Sequence, residues 1–263
     1  MSQKDESYAF PWGFHLGTLS KGNDKIPLYT GTNDGGFCLL YDKASEKKVD
    51  ILLESLCLEL LESMPHGSLK IDMFDFGKKK FYNLSPLQNF ELYYAAYNEE
   101  MISTLFEGLE KTIISRHDEL LCCNRPNIIE HNQKSKLKET YHLVLMNLKN
   151  FPTQDIELRR IQNFVESAYQ AGVYVIAFGY QESEDSANEN TQVILNYFKK
   201  LRVSEGKFDI TKDIFEFVEL LDDHDFEPLD LNKGELLQKI FSNADLESFM
   251  DPENIKLEEN TKV

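Results

Sequence analysis

No run of apolar residues in this 263-residue chain approaches the ~20 that a bilayer-crossing helix needs. The opening MSQKDESYAFPWGFH has no basic stretch followed by an apolar one, so no secretory leader is expected and the chain reads as cytoplasmic. Cysteine is scarce. Cys38, Cys57, Cys122 and Cys123 form no C-x-x-C pair, a pattern of reduced, buried thiols rather than of disulfides or a metal centre. His15, His66, His117, His131 and His142 show neither H-x-x-x-H nor H-E-x-x-H spacing and read as structural or surface residues. Asp222, Asp223, His224 and Asp225 crowd oxygen and imidazole donors together, but consecutive residues rarely converge on one ion, so an exposed acidic loop is the expectation. Positive charge is also short: 28 Lys and Arg stand against 45 Asp and Glu, a net charge of −17. Such a surface repels nucleic-acid phosphates and anionic membranes. The chain alone is expected to bind neither DNA nor membrane; a protein partner suits it better.

Hydrophobic residues make up 41% of the chain and aromatics 12%, enough for a substantial core. The first thirty residues are polar with aromatic punctuation and read as cover for a sheet edge, with a short strand near Ile26 to Tyr29. Apolar runs at Phe37 to Tyr41, Leu69 to Phe76, Tyr141 to Met146 and Val173 to Phe178 read as buried strands. Between them, Val49, Leu52, Leu53, Leu56, Cys57, Leu60 and Leu61 make the stripe of an amphipathic helix that stops before Pro65. Further helices are expected over Glu99 to Cys122, Asp155 to Ala171 and Lys233 to Phe249. Glu182 to Asn190 reads as a polar loop, and Asn196 to Arg202, Lys207 to Ile210 and Ile214 to Leu221 as a helix end and short edge strands. Lys78 to Lys80 form a basic run that reads as a solvated loop or, more sharply, as a contact to an acidic partner or a nucleic-acid backbone. Strands alternating with helices give an α/β class with a mainly parallel sheet. The expectation is one domain over 1–249 with an N-terminal extension (1–25), followed by a charged tail, 250–263, without order.

One strand–turn–helix unit has the context of a phosphate-binding loop. Laid on G-x-x-x-x-G-K-[ST], the segment after Phe37 to Tyr41 puts Asp42 and Lys47 at the glycines, Lys48 at the lysine and Val49 at the hydroxyl. Only Lys48 fits. Glycines let backbone N–H groups wrap phosphate, and a Ser or Thr hydroxyl holds Mg²⁺. Asp42 brings a carboxylate instead, and Val49 has no metal ligand to offer. Lys43, Lys47 and Lys48 make a basic turn whose simpler reading is a solvated helix start.

The order of pieces resembles the FtsK/SpoIIIE-like (HerA–FtsK) DNA-translocase ATPases, in particular the degenerate leading modules of the large multi-domain bacterial members. The matching segments are PHGSLKIDMFDFGKKKFYNL, the helix containing Arg116, IIEHN before YHLVLMNLKNFP, and AYQAGVYVIAFGYQ; the likeness runs from Phe10 to Phe241. It implies a RecA-like P-loop NTPase fold with a degenerate nucleotide site. The vestigial nucleotide-binding set would be Asp42, Lys43, Ser45, Lys47, Lys48, Val49 and Gln181, the last where the family has a strand-end glutamine that senses nucleotide. In the family the strand YHLVLM should end in acids that hold Mg²⁺ and polarise water; here it ends Met146-Asn147-Leu148-Lys149.

The resemblance therefore implies a non-catalytic scaffold subunit of a bacterial DNA-translocating or DNA-processing complex, with phage defence as one setting. Its partner would be an active FtsK-like ATPase or a second copy, and no cofactor would be bound. Two alternatives stand beside it. An unorthodox ATPase would bind ATP and Mg²⁺ through Lys48 without glycines. An unrelated doubly wound α/β enzyme would carry a formed pocket beyond the carboxyl ends of its strands.

Overall fold

A computed structural model describes residues 8–75, 81–185 and 187–250. In chain order the elements are β1 (Gly13–Lys21), β2 (Asp24–Gly31), β3 (Gly36–Tyr41), α1 (Glu46–Ser63), β4 (Leu69–Phe74), β5 (Tyr93–Ala96), α2 (Glu99–Glu119), α3 (Ile128–Lys134), β6 (Tyr141–Asn147), α4 (Leu158–Ala168), β7 (Val173–Tyr180), α5 (Glu182–Asp185), α6 (Glu189–Tyr197), β8 (Lys200–Ser204), β9 (Lys207–Asp209), β10 (Asp225–Pro228) and α7 (Lys233–Met250). Seven strands form one sheet in the order β5-β4-β6-β7-β3-β8-β9. Every neighbouring pair from β5 to β8 is parallel, and only β9 runs back against β8. The four apolar runs expected as strands all lie in this sheet.

Both faces of the sheet are covered, which is why its strands read as continuous apolar runs. Within β3, Phe37, Leu39 and Tyr41 pack into the core that holds α1, while Cys38 and Leu40 face the core of α2, α4 and α6. The helix α1 buries the stripe that its spacing predicts, from Val49 to Leu61.

The N-terminal segment does more than shield an edge. β1 and β2 form an antiparallel hairpin, and β10 joins β1 to complete a three-stranded sheet. Phe14, Leu16, Leu19 and Leu28 are fully buried in the α1-side core. His15 Nδ1 meets Glu59 Oε1 of α1 at 2.9 Å, and that carboxylate raises the His15 pKa. Gly17 permits the crossing: its φ is +154°, and a Cβ there would sit 2.1 Å from the Glu227 carbonyl oxygen.

Other expectations need correction. The helix expected to reach Cys122 stops at Glu119, and Cys122 and Arg125 then pair backbone to backbone just before Pro126, which disfavours helix in the residue preceding it. Cys122 and Cys123 are consequently exposed, and only Cys38 and Cys57 are buried. Asp222, Asp223 and Asp225 are exposed as expected, but the run is no plain loop. A 3₁₀ turn, Val218–Asp222, leads into β10, and Lys21 pairs with Asp223. Among the described residues no group of three or more His, Cys, Asp or Glu is placed to hold a metal, and no helix is long and apolar enough to cross a membrane. The basic run Lys78 to Lys80, the end of the expected strand at Phe76 and the tail after Met250 lie outside the described residues.

The segment Glu182 to Asn190 is built rather than loose. Glu184 of α5 pairs with Lys200 at 2.7 Å and with Arg202 at 2.8 Å, and Asn188 caps α6 by accepting from Thr191 N–H at 2.8 Å. Arg202 and then Lys200 hold the Glu184 carboxyl down to about 2, against its ordinary 4.5. A depressed carboxylate stabilises the fold above its unfolded value and loses that contribution as pH falls through its folded value. Glu184→Gln should therefore be less stable than the native chain above pH 4.5, with the gap closing toward pH 2. With a side chain 25% exposed, the gap should be on the order of 1 kcal/mol after solvent screening. Chemical denaturation across that pH range checks it; a gap that widens on acidification would contradict the pairing.

Candidate functional site

The helix that follows β3 begins after only Asp42-Lys43-Ala44-Ser45. These residues close into a tight turn, with Ser45 N–H donating to the Asp42 carbonyl at 3.1 Å. The Asp42 side chain folds over the same turn: Oδ1 accepts from Ser45 N–H at 2.8 Å and Oδ2 from Glu205 N–H at 2.6 Å. The Ser45 hydroxyl first, and then the amides of Glu205 and Ser45, hold the Asp42 pKa below its ordinary value. Glu205 and Gly206 form the tip of the β8–β9 hairpin with φ of 51° and 74°, the left-handed pair of a two-residue turn. The tip reaches back over the β3–α1 turn. Gly206 N–H donates to Ser45 Oγ at 2.9 Å, and Lys48 Nζ donates to the Gly206 carbonyl at 3.0 Å.

Donors that a phosphate-binding loop would turn to phosphate are thus engaged internally: an aspartate takes one amide of the β3–α1 turn and the hairpin tip covers it. Of the set implied by the resemblance, Asp42, Ser45, Lys48 and Gln181 are gathered around this tip. Gln181 N–H donates to the Tyr41 carbonyl at 3.0 Å, and its side-chain amide donates to Ser204 Oγ at 2.9 Å and to the Val203 carbonyl at 3.3 Å. It ties the end of β7 to β3 and β8. Lys43 and Lys47 point outward into solvent, and Val49 is fully buried in the core.

Beside the end of β6 lies a residue that the motif pattern does not single out. Asn147 and Asn150 both donate through Nδ2 to Asp75 Oδ1, at 2.8 and 2.6 Å. Asp75 follows directly on β4 and is fully buried. A carboxylate does lie beside the β6 terminus, but the neighbouring strand supplies it. The available signal is the acid near the end of the apolar run LKIDMFDF: a buried carboxylate needs partners, and these two asparagines provide them.

One cavity, of about 800 Å³, lies at the opposite end of the sheet. It is lined by Asp34 before β3, Gln170 before β7 and Lys199 before β8. It faces the amino ends of the strands, whereas ligands of open α/β sheets bind beyond the carboxyl ends.

Neither a protein-family model nor a curated protein sequence matches the chain. Solved structures do. EssC (ATPases 2 and 3) from Geobacillus thermodenitrificans superimposes with a TM-score of 0.63 at 14% identity, over 90% of this chain and 49% of that one. The pCW3 conjugation coupling protein TcpA, in its monomer form with ATPγS, gives 0.54 at 13% identity, over 90% of this chain and 73% of that one. The cytoplasmic domain of the Thermomonospora curvata type VII secretion ATPase EccC gives 0.54 at 13% identity, over 73% and 22%. The fold is that of a RecA-like P-loop ATPase. The chain spans about half of the EssC chain holding ATPases 2 and 3 and less of the EccC cytoplasmic domain, and at these identities the fold alone is what they share.

Within this P-loop ATPase fold, Asp42→Ala should release the β8–β9 tip. Amide hydrogen exchange at Ser45 and Glu205 is expected to accelerate about tenfold or more, as two charge-assisted bonds are lost, while exchange in β6 and β7 stays unchanged. Unaltered exchange at both amides would show that Asp42 does not hold the tip.

Proposed function

We propose that this chain is an FtsK-like ATPase module without nucleotide chemistry, serving as an interaction subunit of a bacterial DNA-translocating or DNA-processing complex. The observation that carries the reading is the closure of the β3–α1 turn by Asp42 and the Glu205–Gly206 tip. Lys48 spends its ammonium on the Gly206 carbonyl, and Val49 lies in the core. A β6 terminus of asparagines around Asp75 adds support, because Asn147 stands where the resemblance expects an acid for Mg²⁺. A fold kept without its chemistry is kept for its surfaces. The partner in this reading is an active FtsK-like ATPase or a second copy, and the setting includes phage defence.

With a net charge of −17, the chain works on DNA only through that partner. Light scattering behind size exclusion, then co-purification from the host, tests the assembly. A stable contact should bury about 1,000 Å² or more. A strict monomer that recovers no ATPase and retards duplex DNA by itself at moderate salt would overturn the reading.

A further inference from the structure

Among the described residues the two sheets have four edge strands: β5 and β9 in the large sheet, β2 and β10 in the small one. Open edges invite pairing with other chains, and proteins guard them with proline or lysine. β2 carries Lys25 and Pro27, β10 carries Pro228, and the three-residue β9 begins with Lys207. β5 reads Tyr93-Tyr94-Ala95-Ala96 and carries no such guard.

Its backbone is turned outward in a defined pattern. The carbonyls of Leu92 and Ala96 accept from Ile71 N–H at 2.9 Å and Asp75 N–H at 3.3 Å, so they face β4. Alternation along a parallel ladder then points Tyr94 inward as well, and leaves the N–H and C=O of Tyr93 and Ala95 facing away from the sheet. The side chains around this edge are aromatic and acidic. Tyr94 is 42% exposed and Tyr97 40%. Glu91, Glu99 and Glu100 are exposed and enter no ion pair among the described residues. A cavity of about 540 Å³ opens beside the strand between Tyr94, Tyr97 and Met101, with the Asp72–His142 pair and Lys70 also in its lining.

We propose that β5 is a docking edge, adding an extended, lysine- or arginine-bearing segment of a protein partner to the seven-stranded sheet. Main-chain bonds to Tyr93 and Ala95 set the register. Alternate side chains of the added strand enter the cavity beside Tyr94 and Met101. Its cations lie over Tyr94 and Tyr97 and meet the three glutamates, which gives the edge its preference for positive charge. The proposal rests on the reading of the chain as an interaction subunit and names one surface for it.

The probe is a short fluorescent peptide alternating lysine and valine, with a glutamate–valine counterpart as control, titrated against the whole chain by anisotropy and amide hydrogen exchange. The lysine peptide should bind, slow exchange at Tyr93 and Ala95, and weaken with salt; the glutamate peptide should not bind. Ala95→Pro removes an outward N–H while sparing the bonds to β4, and it and Tyr94→Ala should each weaken the lysine peptide about tenfold. Should Ala95→Pro fail to fold, Tyr94→Ala and Glu91→Lys carry the comparison. Equal binding of both peptides, binding untouched by the variants, or no protection at millimolar peptide would overturn the proposal. So would a concentration-dependent dimer abolished by Ala95→Pro, which would make the occupant a second copy. Nucleotide turnover would sink the interaction-subunit reading without moving any of these signals, so the two failures are distinguishable.

Discussion

Gly36→Ala is expected to keep the protein from reaching its native fold. Gly36 opens β3 with a φ of +152°, and a Cβ on it would lie 1.8 Å from the Val175 carbonyl oxygen and 2.7 Å from its carbon. Both neighbours are backbone of β7, the central partner of β3, so nothing flexible can give way. Relief would have to come from separating two parallel strands buried on both faces. The cost should exceed about 4–5 kcal/mol, a large share of the roughly 5–15 kcal/mol that stabilises a typical domain. Soluble yield and thermal unfolding followed by circular dichroism check it, with Gly31→Ala as control, because no atom lies within 4 Å of a Cβ there. A Gly36→Ala protein that melts within a few degrees of the native chain would contradict the close approach of β3 and β7.

Arg116→Ala should be the second most damaging change. Arg116 is 4% exposed near the end of α2. Its guanidinium donates to the Ala171 carbonyl at 2.6 Å, the Thr140 carbonyl at 2.7 Å and Glu139 Oε2 at 3.1 Å. Those acceptors sit where the chain enters β6 and β7, so one side chain fastens α2 to two strand starts. Asn132 completes the arrangement by bonding both the N–H and the C=O of Glu139, at 2.7 and 2.9 Å. Truncation leaves a buried carbonyl, a half-buried one and a carboxylate short of donors, which should cost about 3 kcal/mol. Arg116→Lys should recover little, because a single ammonium cannot span the fork. Urea denaturation midpoints decide it; a loss below about 1 kcal/mol would mean that Arg116 behaves as a surface ion pair.

How far each element is legible in the sequence depends on where its partners lie. The four central strands can be read because burial on both faces removes nearly every polar position from their runs. The same logic hides β1 and β10, and leaves only Ile26 to Tyr29 of β2 legible. An antiparallel sheet with one wet face spells a polar segment with aromatic punctuation, and the pairing of β10 with β1, two hundred residues upstream, leaves no local trace. Glu182 to Asn190 reads as loose because its order comes from Lys200 and Arg202, which follow later in the chain. Val49 and Lys47 are legible as misfits to a phosphate-binding loop from their chemistry alone. What fills the space is not legible. The Glu205–Gly206 tip lies about 160 residues beyond Asp42, and only the fold brings the two together. Asp75 is hidden for the same reason, its asparagine partners lying on another strand and the loop after it.

A β3–α1 turn covered by Asp42 and the Glu205–Gly206 tip is proposed to exclude nucleotide. Calorimetric titration of the purified chain with ATP and Mg²⁺ tests it most directly. The account predicts no binding heat at millimolar nucleotide, and the same flat trace for Lys48→Ala. Saturable binding by the native chain that disappears in Lys48→Ala would contradict it, because the ammonium would then be leaving the Gly206 carbonyl to hold phosphate.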